Sequence, residues 1–330
     1  MTPLQFERNY APLWDAFEQQ LDGLGKAAGR WRGRRAAANR TAGPAFAAGY
    51  RQCCEHLALA RSRDYPLYLV ERLERLTANG HQLIYRQRTW GMGRLLELAR
   101  RDFPRAVRAH RRYVWLAAVL LVVPTIFLTI VVARRPELVT TIIDAGTASQ
   151  FEQMYTDSAE SFGRVRTAET DWQMFGYYIR NNMGIAFQCF AGGIFLGLGS
   201  IFFLLYNGCF GGAVAGYLVS RGQAGNFFPF IATHSAFELT AIILAGAAGL
   251  RVGHALVAPG RSSRAQAVAT AGREATVIIY GVVVMLLIAA CIEAFWSSSV
   301  WLPSSAKYLA ASLSWGAVLS YLWRQGRHAD

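Results

Sequence analysis

Charged side chains are scarce in this chain. Asp, Glu, Lys and Arg make up 17% of its 330 residues, against about a quarter in a soluble globular domain. The shortage is uneven: residues 1–112 hold 21 Lys+Arg and 10 Asp+Glu, and the other 218 residues carry only 13 and 11. Five cysteines occur, none in a Cys-x-x-Cys pair, and Cys189, Cys209 and Cys291 lie in apolar runs. That excludes a zinc ribbon and a disulfide scaffold. There is no Gly-x-Ser-x-Gly elbow and no His-Glu-x-x-His pair, so neither a serine-hydrolase nor a zinc-protease motif is present. Gly23-Leu24-Gly25-Lys26 lacks the preceding strand and the spacing of a phosphate loop. The first fifteen residues contain no apolar core, so no cleavable signal peptide is expected.

What is present is a polar part joined to an apolar one. The net charge of +13 comes mostly from residues 1–112. That excess sits immediately before the first hydrophobic run, which favours a cytoplasmic face against anionic lipid over nucleic-acid binding. The candidate lipid-facing patch is Arg30, Arg32, Arg34 and Arg35 with Arg105, Arg108, Arg111 and Arg112. Trp14, Phe17, Leu21 and Leu24, like Leu69, Leu73 and Leu76, recur at helical spacing, so this basic domain is read as helical.

Residues 113–133 are apolar for 21 positions, about the length that crosses a bilayer, with Pro124 marking a kink. Residues 134–180 are polar but amphipathic. Phe151, Met154 and Tyr155, then Trp172, Phe175, Tyr178 and Ile179, form aromatic faces that suit interfacial helices on the far side. Further apolar segments follow at 183–206, 208–220, 227–257, 275–296 and 306–323, with a turn expected at Asn207-Gly208. If 208–220 crosses, there are six spans. Arg261, Arg264, Arg273, Arg324 and Arg327 then share the side of the basic domain, as the positive-inside rule prefers. The fold expected is therefore all-α: a polytopic membrane protein with about six spans and both termini cytoplasmic. Its parts are a basic domain over 1–112, a first span at 113–133, outer helices at 134–180, a membrane core at 181–323 and a tail at 324–330.

Small residues repeat every four positions at Gly193 and Gly197, at Gly208, Gly212 and Gly216, and at Ala241, Ala245, Gly249 and Gly253. Such stripes let helices approach closely in lipid. Packing within one chain is the first reading of each stripe and the seam of a homodimer the second. His234, Glu238 and Glu293 are the ionisable residues well inside the apolar segments, where each costs about 2.5–3.5 kcal/mol at mid-bilayer. His234 and Glu238 share a helix face, and the opposite run of the Glu293 helix brings it to similar depth. One imidazole and two carboxylates suit a divalent metal such as zinc, a proton relay, or a purely structural knot. Asn182 and Asn207 are possible supporting residues. His56, His81, His110 and His254 read as solvated or structural.

Several of these stretches together resemble the stage II sporulation protein M family of membrane proteins. They are Asn181-Asn182-Met183-Gly184-Ile185, Tyr206-Asn207-Gly208-Cys209-Phe210-Gly211, and Pro229-Phe230-Ile231-Ala232-Thr233-His234-Ser235-Ala236-Phe237-Glu238-Leu239. Ala247-Ala248-Gly249-Leu250, Pro259 and Ile292-Glu293-Ala294-Phe295 follow in order, and the likeness covers about residues 100–300. Ser235 stands where the family pattern has glycine after the histidine. The long basic domain matches the branch found in bacteria that form no spores. The resemblance implies a membrane scaffold for peptidoglycan-remodelling partners, without sporulation itself. A transporter or channel for a small solute or ion, and a metal-dependent intramembrane hydrolase, stay open beside it, although no catalytic motif is identified.

Overall fold

A computed structural model describes residues 1–29, 43–84, 92–156, 168–299 and 302–326, and it divides into two compact units, residues 1–91 and 92–330. Every regular element among the described residues is helical. Arg30, Arg32, Arg34 and Arg35 lie outside the described residues.

The first unit holds α1 (Pro3–Gly29), α2 (Gly43–Ser62) and α3 (Leu67–Ile84). Trp14, Phe17 and Leu21 of α1 meet Cys53 of α2 and Leu69, Leu73 and Leu76 of α3 in one buried core. The Phe17 ring lies against Gly49 and Gly80, where a Cβ would come within 2.9 Å and 3.0 Å of it. Two glycines thus make the slot that one aromatic ring fills. The Trp14 indole N–H donates to His56 Nδ1 at 3.0 Å, and burial lowers the imidazole's proton affinity.

The second unit opens with α4 (Met92–Glu97), a π turn (Leu98–Asp102) and α5 (Phe103–Ala109). Then come α6 (Arg111–Arg134), a 3₁₀ turn (Pro136–Thr141) and α7 (Ala145–Tyr155), started by the Asp144 carboxylate accepting from the Thr147 amide. After α8 (Ala168–Ala191) the chain makes a second 3₁₀ turn (Gly192–Ile194), then runs through α9 (Leu198–Ser220), α10 (Ala224–Val257) and α11 (Arg264–Ile292). A π turn (Glu293–Ser297) and α12 (Ser304–Arg324) complete it. Among the described residues, four stretches are long and apolar enough to cross a membrane: α6, α9, α10, and α11 with its π turn. α10 is the central helix, packing against α6, α8, α9, α11 and α12.

The glycine stripes explain how the helices approach so closely. Gly208, Gly212 and Gly216 of α9 face Leu121, Thr125 and Thr129 of α6, with backbone carbonyls where side chains would otherwise sit. Thr129 adds a hydrogen bond from its Oγ1 to the Gly212 carbonyl at 3.3 Å. Gly193 and Gly197 abut Gly249 and Gly253 of α10. All three stripes are therefore used inside the chain.

This arrangement changes four details expected from the sequence. The chain does not turn at Asn207-Gly208. Both residues are helical, and Asn207 Nδ2 donates back to the Phe203 carbonyl at 2.7 Å. The break falls at 192–197 instead, where Gly197 takes φ +85° and Leu196 φ +54°. The segments expected at 183–206 and 208–220 become α8 and α9. Glycine at 197 bears the left-handed backbone without a Cβ penalty, and that turn is what lets two backbones touch α10. Arg108 is not a free lipid-facing cation, because its guanidinium donates to the Leu322 and Gln325 carbonyls at 2.8 Å each, closing the end of α12. Arg105, Arg111 and Arg112 are exposed. Finally, Phe151 and Tyr155 of α7 pack on Phe210, Phe227 and Phe230 rather than facing outward, whereas Trp172 and Tyr177 of α8 are exposed.

Candidate polar centre between two membrane helices

α10 and α11 run antiparallel, and their polar residues meet near the start of one and the end of the other. His234 and Glu238 lie one turn apart on α10, with Nε2 of the imidazole 3.6 Å from a Glu238 oxygen. Glu293 opens the π turn that ends α11 and brings an oxygen to 3.9 Å from the same Nε2. One ligand atom from each residue falls within 4.8 Å of the others. His234 and Glu293 are buried and Glu238 is half-buried. Both separations are too long for direct hydrogen bonds.

The other ring nitrogen is engaged from behind. Ser297 Oγ, at the far end of the same π turn, lies 3.2 Å from His234 Nδ1. Thr233 Oγ1 contacts both Ser297 Oγ and, at 3.5 Å, His234 Nδ1. Each hydroxyl also donates to its own helix, Thr233 to the Phe230 carbonyl at 2.8 Å and Ser297 to the Ile292 carbonyl at 3.1 Å. Lys307 of α12, buried, donates from Nζ to the Ser297 carbonyl at 2.7 Å. Glu293 and Ser297 are four residues apart, so they share one side of this turn and face the two nitrogens of one ring.

Sequence reasoning finds the three ionisable residues and misses Thr233, Ser297 and Lys307. Ser297 falls just past the 275–296 apolar segment, and its role depends on a π turn that hydrophobic periodicity does not encode. Lys307 stands at the edge of the last apolar segment, where a lysine ordinarily reads as an interfacial anchor.

Of the two supporting asparagines, Asn182 is buried and on the inward stripe of α8. Its neighbours on that stripe, Met174 and Tyr178 on one side, cluster with Ala290 of α11 and Ala294 of the π turn, and Ala186 on the other shares a buried cluster with Ala236 of α10. Asn182 therefore stands at the level of the cluster. Its Oδ1 accepts from Asn181 at 2.9 Å, and its side-chain nitrogen has no hydrogen-bond partner among the described residues. Asn207 is committed to its own helix. Ser235 accepts from the Trp315 indole at 3.2 Å, so the hydroxyl links α10 to α12.

His110 and His254, the other histidines of this unit among the described residues, belong to a different polar group at the opposite end of α10. Arg251 and His110 both approach Glu274, at 3.0 Å and 3.5 Å, and the Tyr113 hydroxyl lies 2.7 Å from His254 Nδ1. Between the two groups α10 and α11 bury Ala241, Leu244, Ala245 and Ala248 against Ile278, Val282, Leu286 and Ala289. Those facing positions are apolar, and Thr240 of α10 is buried in the same stretch.

A domain of unknown function (DUF8413) matches residues 4–86. No curated protein and no solved structure matches the chain. The family model described as Stage II sporulation protein M covers residues 117–298, more than half of the chain and all of His234, Glu238 and Glu293. The chain is a membrane protein of the Stage II sporulation protein M family.

Proposed function

We propose that this protein is a membrane scaffold for envelope-remodelling partners, and that a divalent cation of the zinc type, held by His234, Glu238 and Glu293, ties α10 to α11. The observation that carries the reading is the closed core beyond the cluster. A transporter needs a polar route continuing through the bundle. Here the next inward positions, Ala241, Leu244 and Ala245 of α10 and Leu286, Val282 and Ile278 of α11, are packed to near-zero exposure. A site that leads nowhere suits a lock better than a path. An imidazole nitrogen with two carboxylate oxygens is a common zinc set, and water or Asn182 would complete four ligands.

The proposed topology has six crossings, adding α8 and α12 to the four described stretches long and apolar enough to cross a membrane, with successive helices alternating in direction. Arg261, Arg264 and Arg273 then share a side with Arg105, Arg111 and Arg112, and α7 lies on the opposite, outer side. The termini would both be cytoplasmic.

The test uses the purified full chain in liposomes. One zinc per chain, no zinc or proton flux, and recovery of peptidoglycan hydrolases with the parent in crosslinked native membranes support the proposal. Zinc or proton flux abolished by Glu238→Gln would replace the scaffold with a transporter.

A further inference from the structure

We propose that Asn182 brings α8 into the site: its buried amide closes the open side of the bound cation, which therefore ties three helices together rather than two. The inference rests on the metal site proposed above.

The position of Asn182 follows from the helix repeat. α8 packs on α10, on α11 and on the π turn that carries Glu293. One turn before Asn182, Tyr178 shares a buried cluster with Ala290 and Ala294, which stand on either side of Glu293 in sequence. One turn after it, Ala186 shares a buried cluster with Ala236, which stands between His234 and Glu238. Residues four apart lie on one helix face, so Asn182 sits between these two anchor points, at the level where His234, Glu238 and Glu293 converge.

The amide itself calls for a further partner. Asn182 is 3% exposed. One end of its amide is taken by Asn181 at 2.9 Å, and the other has no hydrogen-bond partner among the described residues. Turning this amide over together with that of the exposed Asn181 exchanges nitrogen for oxygen, yet one buried polar atom stays unserved either way. Such an atom is costly, and a leucine of similar size would fill the space without that cost. A cation between the three neighbouring groups relieves it in both orientations. As a carbonyl oxygen the amide is a neutral fourth ligand, and as an N–H it donates to an oxygen bound on the cation. Both put α8 in contact with the occupied site.

Three measurements on the purified full chain in detergent test this. Hydrogen exchange of the parent with and without zinc needs no variant: residues 178–186 should gain protection together with α10 and the end of α11, while α6 and α9 stay unchanged. Zinc titrations of the parent and Asn182→Leu should show affinity about 10–100-fold weaker in the variant. Thermal unfolding of metal-free Asn182→Leu should lie at or above the parent, because leucine removes the unserved polar atom. The variant thus keeps or gains stability when empty and loses affinity for zinc. Protection confined to α10 and α11, Asn182→Leu binding zinc as tightly as the parent, or metal-free Asn182→Leu melting well below it overturns the inference and leaves the metal site standing. A parent that binds no zinc overturns the metal site itself.

Discussion

Replacing Gly212 with alanine separates a packing stripe from a decorative one. On α9 the Cβ would lie 2.5 Å from the Thr125 carbonyl oxygen, 3.0 Å from Thr125 Cα and 3.1 Å from Leu128 Cβ, where ordinary contact begins at 3.4 Å. The first contact is short by roughly 0.9 Å, and the obstacle is backbone, so α6 and α9 must part rather than a side chain rotate. Parting them also stretches the Thr129–Gly212 hydrogen bond and loosens Gly208 and Gly216 above and below. Overpacking of this kind costs about 1–3 kcal/mol, and alanine's better helix propensity returns up to about 1 kcal/mol. The control is one residue away. A Cβ on Gly211 would meet nothing within 4 Å, so Gly211→Ala keeps the propensity gain without the clash. Thermal unfolding of purified protein in one detergent, with mass measured alongside, should place Gly212→Ala below the parent and Gly211→Ala at or above it. If Gly212→Ala unfolds no earlier than Gly211→Ala, the intrachain packing argument is wrong. If it changes the mass instead of the stability, the stripe is a seam between two copies.

Four further outcomes are expected. Arg108→Ala removes two hydrogen bonds to the last carbonyls of α12; the loss of about 1.5 kcal/mol should appear as earlier hydrogen exchange over residues 318–325. Ser235→Ala strips the acceptor from Trp315 and should cost about 1 kcal/mol, with a shifted tryptophan emission reporting the change. Gly80→Ala drives a methyl into Phe17 and Tyr50 and should lower the unfolding temperature of the first unit, measured by proteolysis. His110 is held below the ordinary imidazole range, first by burial, with Glu274 opposing and Arg251 reinforcing it. Its folded form therefore resists protonation more than its unfolded form. Stability should be full above about pH 6.5, the free imidazole value, and fall below it, less steeply in His110→Gln melts between pH 7.5 and 5.5.

How much was legible in the sequence depends on the kind of signal. Apolar length finds α6, α10 and α11, because hydrophobic runs of span length have few other uses. The i,i+4 pair of His234 and Glu238, and their approach to Glu293, follow from helix periodicity and the cost of charge in lipid. The break at 192–197 was not legible. Residues 183–206 read as one uninterrupted apolar run, and the tertiary contact with Gly249 and Gly253 decides where it bends. The π turn was hidden for the same reason, and Ser297 with it. Arg108 looked like a member of a basic cluster, since nothing local says that α12 ends beside it. In each case the missing information was a long-range contact rather than a local preference.

The same reasoning bears on why a costly polar group persists in an alanine-packed bundle. α10 carries its glycine stripe at one end, where Gly249 and Gly253 touch the 192–197 turn, and its imidazole at the other. Near the glycine end, backbone contact fixes the position of α8 and α9 with almost no side-chain volume. Near the imidazole end α10 meets α11 and α12 through Glu293, Ser297 and the Trp315–Ser235 bond. Apolar packing alone gives weak specificity between helices in lipid, since the tails are as apolar as the side chains. Three converging polar side chains favour one register of α10 on α11 over slippage by a turn, because a slipped pair would strand carboxylates against hydrocarbon. On the proposed reading, the bound cation makes that register conditional. Chelation should then leave the glycine-stripe contacts of α6 with α9 intact while raising hydrogen exchange at residues 289–299. Uniform loosening of the whole bundle on chelation would instead assign the cation to general stability, and no change anywhere would remove it from the structure.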